Sequence, residues 1–340
     1  LREMRKIVDV INSHHKTQLL YEEFPFSGKY FVRHREAISS DFLKRLGLEF
    51  KGCIIGALGE PAIQNQGYIK IIRSAVEKQL DLKVLIRPFT LINPKKSPLR
   101  GLNSGDINLT LFREKPHIYG EKPALSLFEG KNDEIGIEFQ TLYARRIESD
   151  LQLILRYISK RYQGAVTLVL GRQYFPHSSQ IWEKLFWEKI GEHSNLKGLV
   201  LDYSAFLRKL FSEAQGQNLI ICPGFTGDYL SALLTELTDG PLLAHQCQFN
   251  EREQFLAEPL HGPISSLKDH SRVSPFAALL TLAVSYLMLD MRGTGRLVRD
   301  SILKAYENNW LTPDMDGSMS GSAVGDFISA WIDKMLTEGI

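Results

Sequence analysis

The chain has 340 residues, 44% apolar and 24% charged, with 41 basic against 39 acidic side chains. That is enough apolar material for two sizeable cores and an ordinary globular share of charge, which excludes a disordered chain. The near-neutral balance, without a dense Lys/Arg stripe, also argues against nucleic acid as a partner.

Cys53, Cys222 and Cys247 are odd in number and form no C-x-x-C spacing, so neither a disulfide framework nor a zinc site is expected. A reducing, cytoplasmic setting fits best. No signal peptide pattern is visible, and the apolar run FAALLTLAVSYLML meets Asp290 and Arg292 before it can span a bilayer, so it reads as a buried helix with no membrane partner. The chain opens on Leu1 within a helical pattern, so a preceding segment is expected.

In chain order, LREMRKIVDVINSHH has the three- and four-residue apolar spacing of an amphipathic helix, and QLLYEEF alternates like a strand. SSDFLKRLG predicts a helix capped by Ser39 or Ser40 and closed by Gly47, and CIIGAL a short buried strand running into a Gly/Pro loop. YIKIIRSAVEKQL predicts a helix over 68–80 on which Arg73 and Glu77, four residues apart, would form a solvated ion pair.

LKVLIRP predicts a strand, and INPKKSPLRGLNSGD a crossing segment between two lobes. DINLTLFRE is a strand, and ALSLFEG and EIGIEFQTL are two strands around a KND turn, an isolated hairpin of the kind that pairs with another subunit. ARRIESDLQLILRYISKR is a long helix, followed by alternating strands and helices: AVTLVLG, SQIWEKLFWEKIG, LKGLVLDY, SAFLRKLFSEAQ, NLIICPG and GDYLSALLTELTDG. In the last of these Asp228 stands where a helix N-cap would. Pro275 fits the first turn of a long apolar helix.

The stretch EPLHGPISSLKDHSRVSP, residues 258–275, resembles without a gap the E-P-V-H-G-S-A-P-D-I-A-G-K-N-I-A-N-P cofactor loop of the β-decarboxylating dehydrogenases, the isocitrate and 3-isopropylmalate dehydrogenase family. Glu258, Pro259, His261, Gly262 and Pro275 are identical. Further landmarks fall in the family's order: Arg87-Pro88, Arg113-Glu114 followed by Ile118-Tyr119-Gly120-Glu121, Asp202 before SAFLRKL, Pro223 followed by Gly227-Asp228, and Thr312-Pro313-Asp314 followed by Gly317.

The resemblance implies an α/β fold with a two-lobed open sheet and a discontinuous large domain. Residues 1–82 and 239–340 would form the large, cofactor-binding domain, and 83–238 the small domain for dimerisation, metal and substrate. It also implies a dimer, either a homodimer or a heteromer with an active paralogue. The family begins with a strand and a Gly-rich loop that precede the first residue here; without them the large sheet would lack a strand and the cofactor pocket a wall.

Family members oxidise a 2-hydroxy acid with NAD or NADP and release its β-carboxylate as carbon dioxide with the help of Mg²⁺ or Mn²⁺. The resemblance places Asp202 and Asp228 at two of three metal carboxylates and Ala232 at the third. Tyr119 falls on the proton-donating tyrosine, and Arg172 on the proton-moving lysine, a role that a permanently charged guanidinium cannot fill. Arg87 and Arg113 match two substrate arginines, Glu77 replaces the third, and Arg73 stands one turn earlier, where it could reach the same pocket.

In the cofactor loop His261 and Gly262 are retained. Ser266 and Leu267 occupy the positions that separate NAD from NADP, and Ser274 replaces the asparagine that meets the adenine. NAD is preferred, with NADP the alternative. Two functions follow: divergent, metal-dependent oxidative decarboxylation of an isopropylmalate- or isocitrate-like 2-hydroxy diacid, or a catalytically silent homologue that binds ligand or regulates an active partner.

Overall fold

The computed structural model of the protein describes residues 1–14, 18–59, 63, 66–115, 124–138, 141–212, 219–261 and 272–339. Among them the strands are β1 Gly52–Ile54, β2 Val84–Thr90, β3 Asn108–Glu114, β4 Ala124–Leu127, β5 Ile135–Glu138, β6 Gly164–Leu170, β7 Leu196–Asp202, β8 Leu219–Cys222, β9 His245–Phe249 and β10 Phe255–Pro259. Eight form one sheet in the order β1-β10-β9-β2-β3-β8-β6-β7, and β4 pairs with β5 alone. The pairs β1–β10, β3–β8, β8–β6 and β6–β7 are parallel, while β10–β9, β9–β2 and β2–β3 are antiparallel.

The helices are α1 Arg2–His14, α2 Gly28–His34, α3 Ser40–Glu49, α4 Gly67–Gln79, α5 Ala144–Arg161, α6 Pro176–Ile190, α7 Tyr203–Ser212, α8 Gly224–Leu237, α9 Phe276–Met288, α10 Arg292–Glu307 and α11 Gly321–Glu338. Side chains alternate across a strand, so each face of the sheet collects every second residue. On the front face, Leu256 packs under α3 and α4 with Phe42, Leu46, Ile72 and Val76, while Leu109, Leu111 and Ile220 pack under α7 and α8 with Phe206, Leu230 and Leu234. Between these two apolar islands the central strands β9 and β2 carry polar residues.

The rear face is apolar almost throughout. Val84, Ile86, Phe112, Cys247 and Phe249 pack against α5 and α6 and against Val284 and Met288 of α9. The other side of α9 joins α1, α10 and α11 in a further core. Its sequence is apolar all round because it is buried on every side. No helix among the described residues is long and apolar enough to cross a membrane.

The α/β class and nearly all the expected elements are present, with local corrections. QLLYEEF is not a strand: Asn12 of α1 holds both polar backbone groups of Leu19, at 2.8 and 3.0 Å, in place of a strand neighbour. Ser39 caps α3 through the Phe42 N–H, but Gly47 does not close that helix; it lies inside α3 against Gln79. The α8 helix begins at Gly224, so Asp228 is in its second turn and Pro223 takes the cap position. The solvated Arg73–Glu77 pair does not form either, for reasons that belong to the site.

Candidate functional site

The polar floor between the two apolar islands is assembled by register. Gln246 and Gln248 of β9, Arg87 of β2, Arg113 of β3 and Glu258 of β10 share the front face. Arg87 donates through Nε and a terminal nitrogen to the Gln246 amide oxygen, at 3.0 and 2.9 Å, and Gln246 donates to Glu258 at 2.7 Å. From α4, Arg73 completes the chain by ion-pairing with Glu258 at 2.7 Å. Glu77 pairs with Lys115 at 2.6 Å and accepts a 2.8 Å hydrogen bond from Gln248.

Arg73 and Glu77 therefore each find a partner on the sheet instead of one another. Both are half-buried, and beneath them lie buried polar groups that a desolvated site must satisfy. Burial raises the pKa of Glu258, opposed by the adjacent Arg73.

Arg113 is buried and ion-pairs with Asp228 in a close contact, also donating to the Gly224 carbonyl at 3.3 Å. Gly227 is needed for this: a Cβ there would stand 2.6 Å from Arg113 Cδ. Desolvation and the neighbouring Arg113 push the Arg87 guanidinium down to about 10, so it remains charged at neutral pH. Two guanidiniums thus stand near one another on the floor, and the hydrogen-bond partner of Arg87 is a neutral amide.

Asp202 ends β7, where Oδ1 accepts from the Arg172 backbone N–H at 3.0 Å and Oδ2 from the Ser204 hydroxyl at 3.2 Å. The Arg172 side chain turns to Glu183 of α6, at 2.8 Å. Ala232 is exposed one turn beyond Asp228. Among the described residues no three His, Cys, Asp or Glu side chains form a metal cluster. Asp202 and Asp228 share no partner among the described residues; each is a hard oxygen ligand of the kind taken by Mg²⁺, which commonly binds through one or two carboxylates and completes its shell with water and substrate. The Asp228 side chain is 56% exposed, which leaves it approachable despite Arg113.

His261 and Ser274 line a second, largely apolar cavity of about 870 Å³ together with Ile55, Gly56, Ala57 and Leu58 from the turn after β1. That turn belongs to the site although no residue in it was expected there; a Gly-rich loop after a short buried strand is the signal that could have marked it. The Ser274 hydroxyl accepts from the Phe276 N–H at 3.2 Å, and its own N–H donates to Asp314 at 2.9 Å, so Ser274 anchors the start of α9. Tyr119, Gly262, Ser266 and Leu267 lie outside the described residues. Gln246, Gln248, Lys115 and Glu183 were also missed; the alternation in HQCQF is the feature that could have marked the two glutamines.

The model of the isocitrate/isopropylmalate dehydrogenase family matches residues 1–330. The chain belongs to that family. A protein named as a probable tartrate dehydrogenase/decarboxylase from Agrobacterium vitis is 20% identical over 309 residues, covering 90% of this chain and 86% of the relative. A 3-isopropylmalate dehydrogenase of Clavibacter sepedonicus is 23% identical, covering 86% and 81%, and a decarboxylating D-malate dehydrogenase of Escherichia coli K12 is 22% identical, covering 91% and 88%.

Among solved structures, an isocitrate dehydrogenase from Methylococcus capsulatus superposes with a TM-score of 0.77 at 15% identity, covering 98% of this chain and 95% of that one. A β-decarboxylating dehydrogenase from Thermococcus kodakarensis gives 0.78 at 18%, covering 99% and 93%. At such identities the superpositions establish the fold alone.

Proposed function

We propose that the chain is a divergent NAD(P)-linked decarboxylating dehydrogenase that takes a 2-hydroxy diacid in the front cleft, related in shape to tartrate, malate or isopropylmalate. The observation that carries this reading is the neighbouring pair Arg87 and Arg113 on the cleft floor. A guanidinium offers a planar fork that matches a carboxylate, and Arg87, bonded to a neutral amide, keeps its full charge for a ligand. Binding the acid draws Arg113 from Asp228, so that carboxylate is released as the substrate arrives.

Asp202 and Asp228 would hold the divalent metal, Mg²⁺ or Mn²⁺, which supplies Lewis-acid polarisation of a substrate carbonyl when bound. NAD or NADP would accept the hydride, its adenine end fitting the apolar cavity beside His261. Arg73 is held by Glu258, so it shapes the cleft wall and contributes less free charge than its position suggests. Glu77, neutralised by Lys115, does not repel an incoming carboxylate as a bare glutamate would.

The exposed hairpin residues Leu125, Leu127 and Ile135, with exposed Phe225 and Tyr229 of α8, suit a homodimer or a heteromer with an active paralogue.

A second reading is favoured by one contact. Arg172 is paired with Glu183 and cannot give up a proton, so a silent homologue that binds the acid and regulates a catalytic partner has the same framework. The purified protein, assayed for NADH formation on D-malate, tartrate, isopropylmalate and isocitrate with Mg²⁺ or Mn²⁺, separates the two. Turnover supports the dehydrogenase. Turnover seen only after Arg172→Lys with Ala232→Asp supports the silent homologue, and absence of both turnover and acid binding overturns both.

A further inference from the structure

Across the sheet from the polar floor lies a separate cavity of about 310 Å³, between the rear face of β2 and β3, the end of α5, and helices α9 and α10. The same strands floor both clefts with alternate residues: Arg87 faces the front, while Pro88, Thr90 and Thr110 line the rear cavity. Ile86, Leu280, Val284 and Leu287 give it an apolar wall, Asn108, Gln163, Thr235 and Thr238 add neutral polar groups, and two further features bear on the choice of ligand.

One is a cationic rim. Tyr162 stands among Arg161, Arg292, Arg296 and Arg299; burial raises the pKa of its hydroxyl, and the four arginines oppose that rise. Three of these have partners: Arg161 pairs with Asp290 at 2.9 Å, Arg292 donates to the Lys160 carbonyl at 3.0 Å, and Arg299 pairs with Asp300 at 2.9 Å. Arg296 is exposed and makes no ion pair among the described residues. Arg296 and Arg299 both line the cavity.

The other is His245, a buried residue at the start of β9. Its Nδ1 lies 3.0 Å from the Leu243 carbonyl, which can only accept, so Nδ1 carries the proton and Nε2 is the acceptor. Burial pushes this imidazole down to about 4, so it stays neutral at physiological pH. A buried acceptor beside an apolar wall, below a rim with an open cation, is the arrangement of a ligand pocket, and its volume lies at the small end of the range for such sites.

We propose that this rear cavity binds a single-ring monocarboxylate with a hydroxyl at its far end. The carboxylate sits on Arg296 and Arg299, the ring on Leu280, Val284 and Leu287, and the hydroxyl donates to His245 Nε2. The site is independent of the front cleft and does not rest on the reaction proposed for it.

Isothermal titration of the whole protein with 4-hydroxyphenylacetate, and separately with phenylacetate, tests this. Saturable binding of the hydroxylated acid is expected, at least threefold tighter than of phenylacetate, and weakened at least tenfold by Arg296→Gln with Arg299→Gln. The same binding should be unchanged in Arg87→Met, which touches only the front floor. His245→Phe should equalise the two acids; if that variant does not fold, the wild-type preference for the hydroxyl stands as the readout. Absence of saturable binding, equal affinity for both acids in the wild type, or loss in Arg87→Met with retention in the rim variant would each overturn the proposal.

Discussion

Arg73 on α4 ion-pairs with Glu258 on β10 at 2.7 Å and ignores Glu77, its neighbour one helical turn away. The glutamate side chain is 3% exposed and the arginine 37%, so the pair joins a helix face to a buried strand end. Removing the carboxylate leaves Arg73 without its counter-ion and the Gln246 amide without its acceptor. Glu258→Ala should lower unfolding stability by about 2–3 kcal/mol in urea titrations, somewhat below the usual cost for a fully buried broken pair. Glu258→Gln, which keeps an acceptor oxygen, should cost less than half of that.

The Arg113–Asp228 contact sets a competition between ligand and protein for one guanidinium. Asp228→Asn should free Arg113 and tighten metal-free acid binding several-fold, measured by titration calorimetry in the presence of a chelator. The same variant should lose any metal-dependent gain in acid affinity. Unchanged affinity with chelator present would show that Arg113 does not receive the acid.

Gly227 tests the geometry of Arg113 without altering charge. A methyl there would fall 2.6 Å from Arg113 Cδ and 2.9 Å from Cγ. Gly227→Ala should therefore displace the arginine, costing about 1–3 kcal/mol of stability by overpacking. Acid affinity should fall at least tenfold, a loss that Gly293→Ala, with nothing within 4 Å of its added methyl, should not produce.

Asp150 of α5 is buried, and burial raises its carboxyl from the ordinary value 3.8 to about 7, with Arg146 and Lys83 opposing and Glu114 and Glu251 reinforcing the rise. Between those two values the folded chain holds a proton that the unfolded chain has released. This group's contribution to stability is accordingly full below about pH 4 and falls as pH rises toward 7, by at most about 1.4 kcal/mol for each pH unit crossed. His245, held low by burial, acts in the opposite sense, withdrawing stability as pH falls from 6.5 toward 4. Comparing urea stability across pH 4–7, Asp150→Asn should leave a steeper rise with pH than the wild type shows. An identical pH profile in the two proteins would refute the assignment.

Much of the fold was legible because periodicity reports burial. AVTLVLG and NLIICPG are nearly continuous apolar runs, and each forms a strand buried on both faces, while the apolar centre of LKVLIRP marks the strand that carries Arg87. QLLYEEF misled because alternation alone does not supply a strand partner, and here Asn12 satisfies the backbone instead. The family landmarks identified Arg87, Arg113 and Asp228 as residues of one site. They could not give the partners of the polar floor, because Gln246 meets Arg87, and Gln248 and Lys115 meet Glu77, through sheet register and helix docking, both long-range properties of the chain. Asp228 was legible as a helix residue and misjudged as a cap, since the turn residues Gly224 and Gly227 both lie inside the helix.

The odd–even division of β9 has a consequence for which changes this chain can tolerate. Gln246 and Gln248 face the ionic network, whereas His245, Cys247 and Phe249 face the rear cavity and the core. Single substitutions in β9 disturb one compartment at a time. Inserting or deleting one residue between Ala244 and Phe249 would exchange the occupants of both, burying two amides among Val84, Ile86 and Phe112 while presenting Cys247 and Phe249 to the arginines. The hairpin of β9 and β10 is thus constrained more strictly in length than at any single position, because a change of length alters both compartments together.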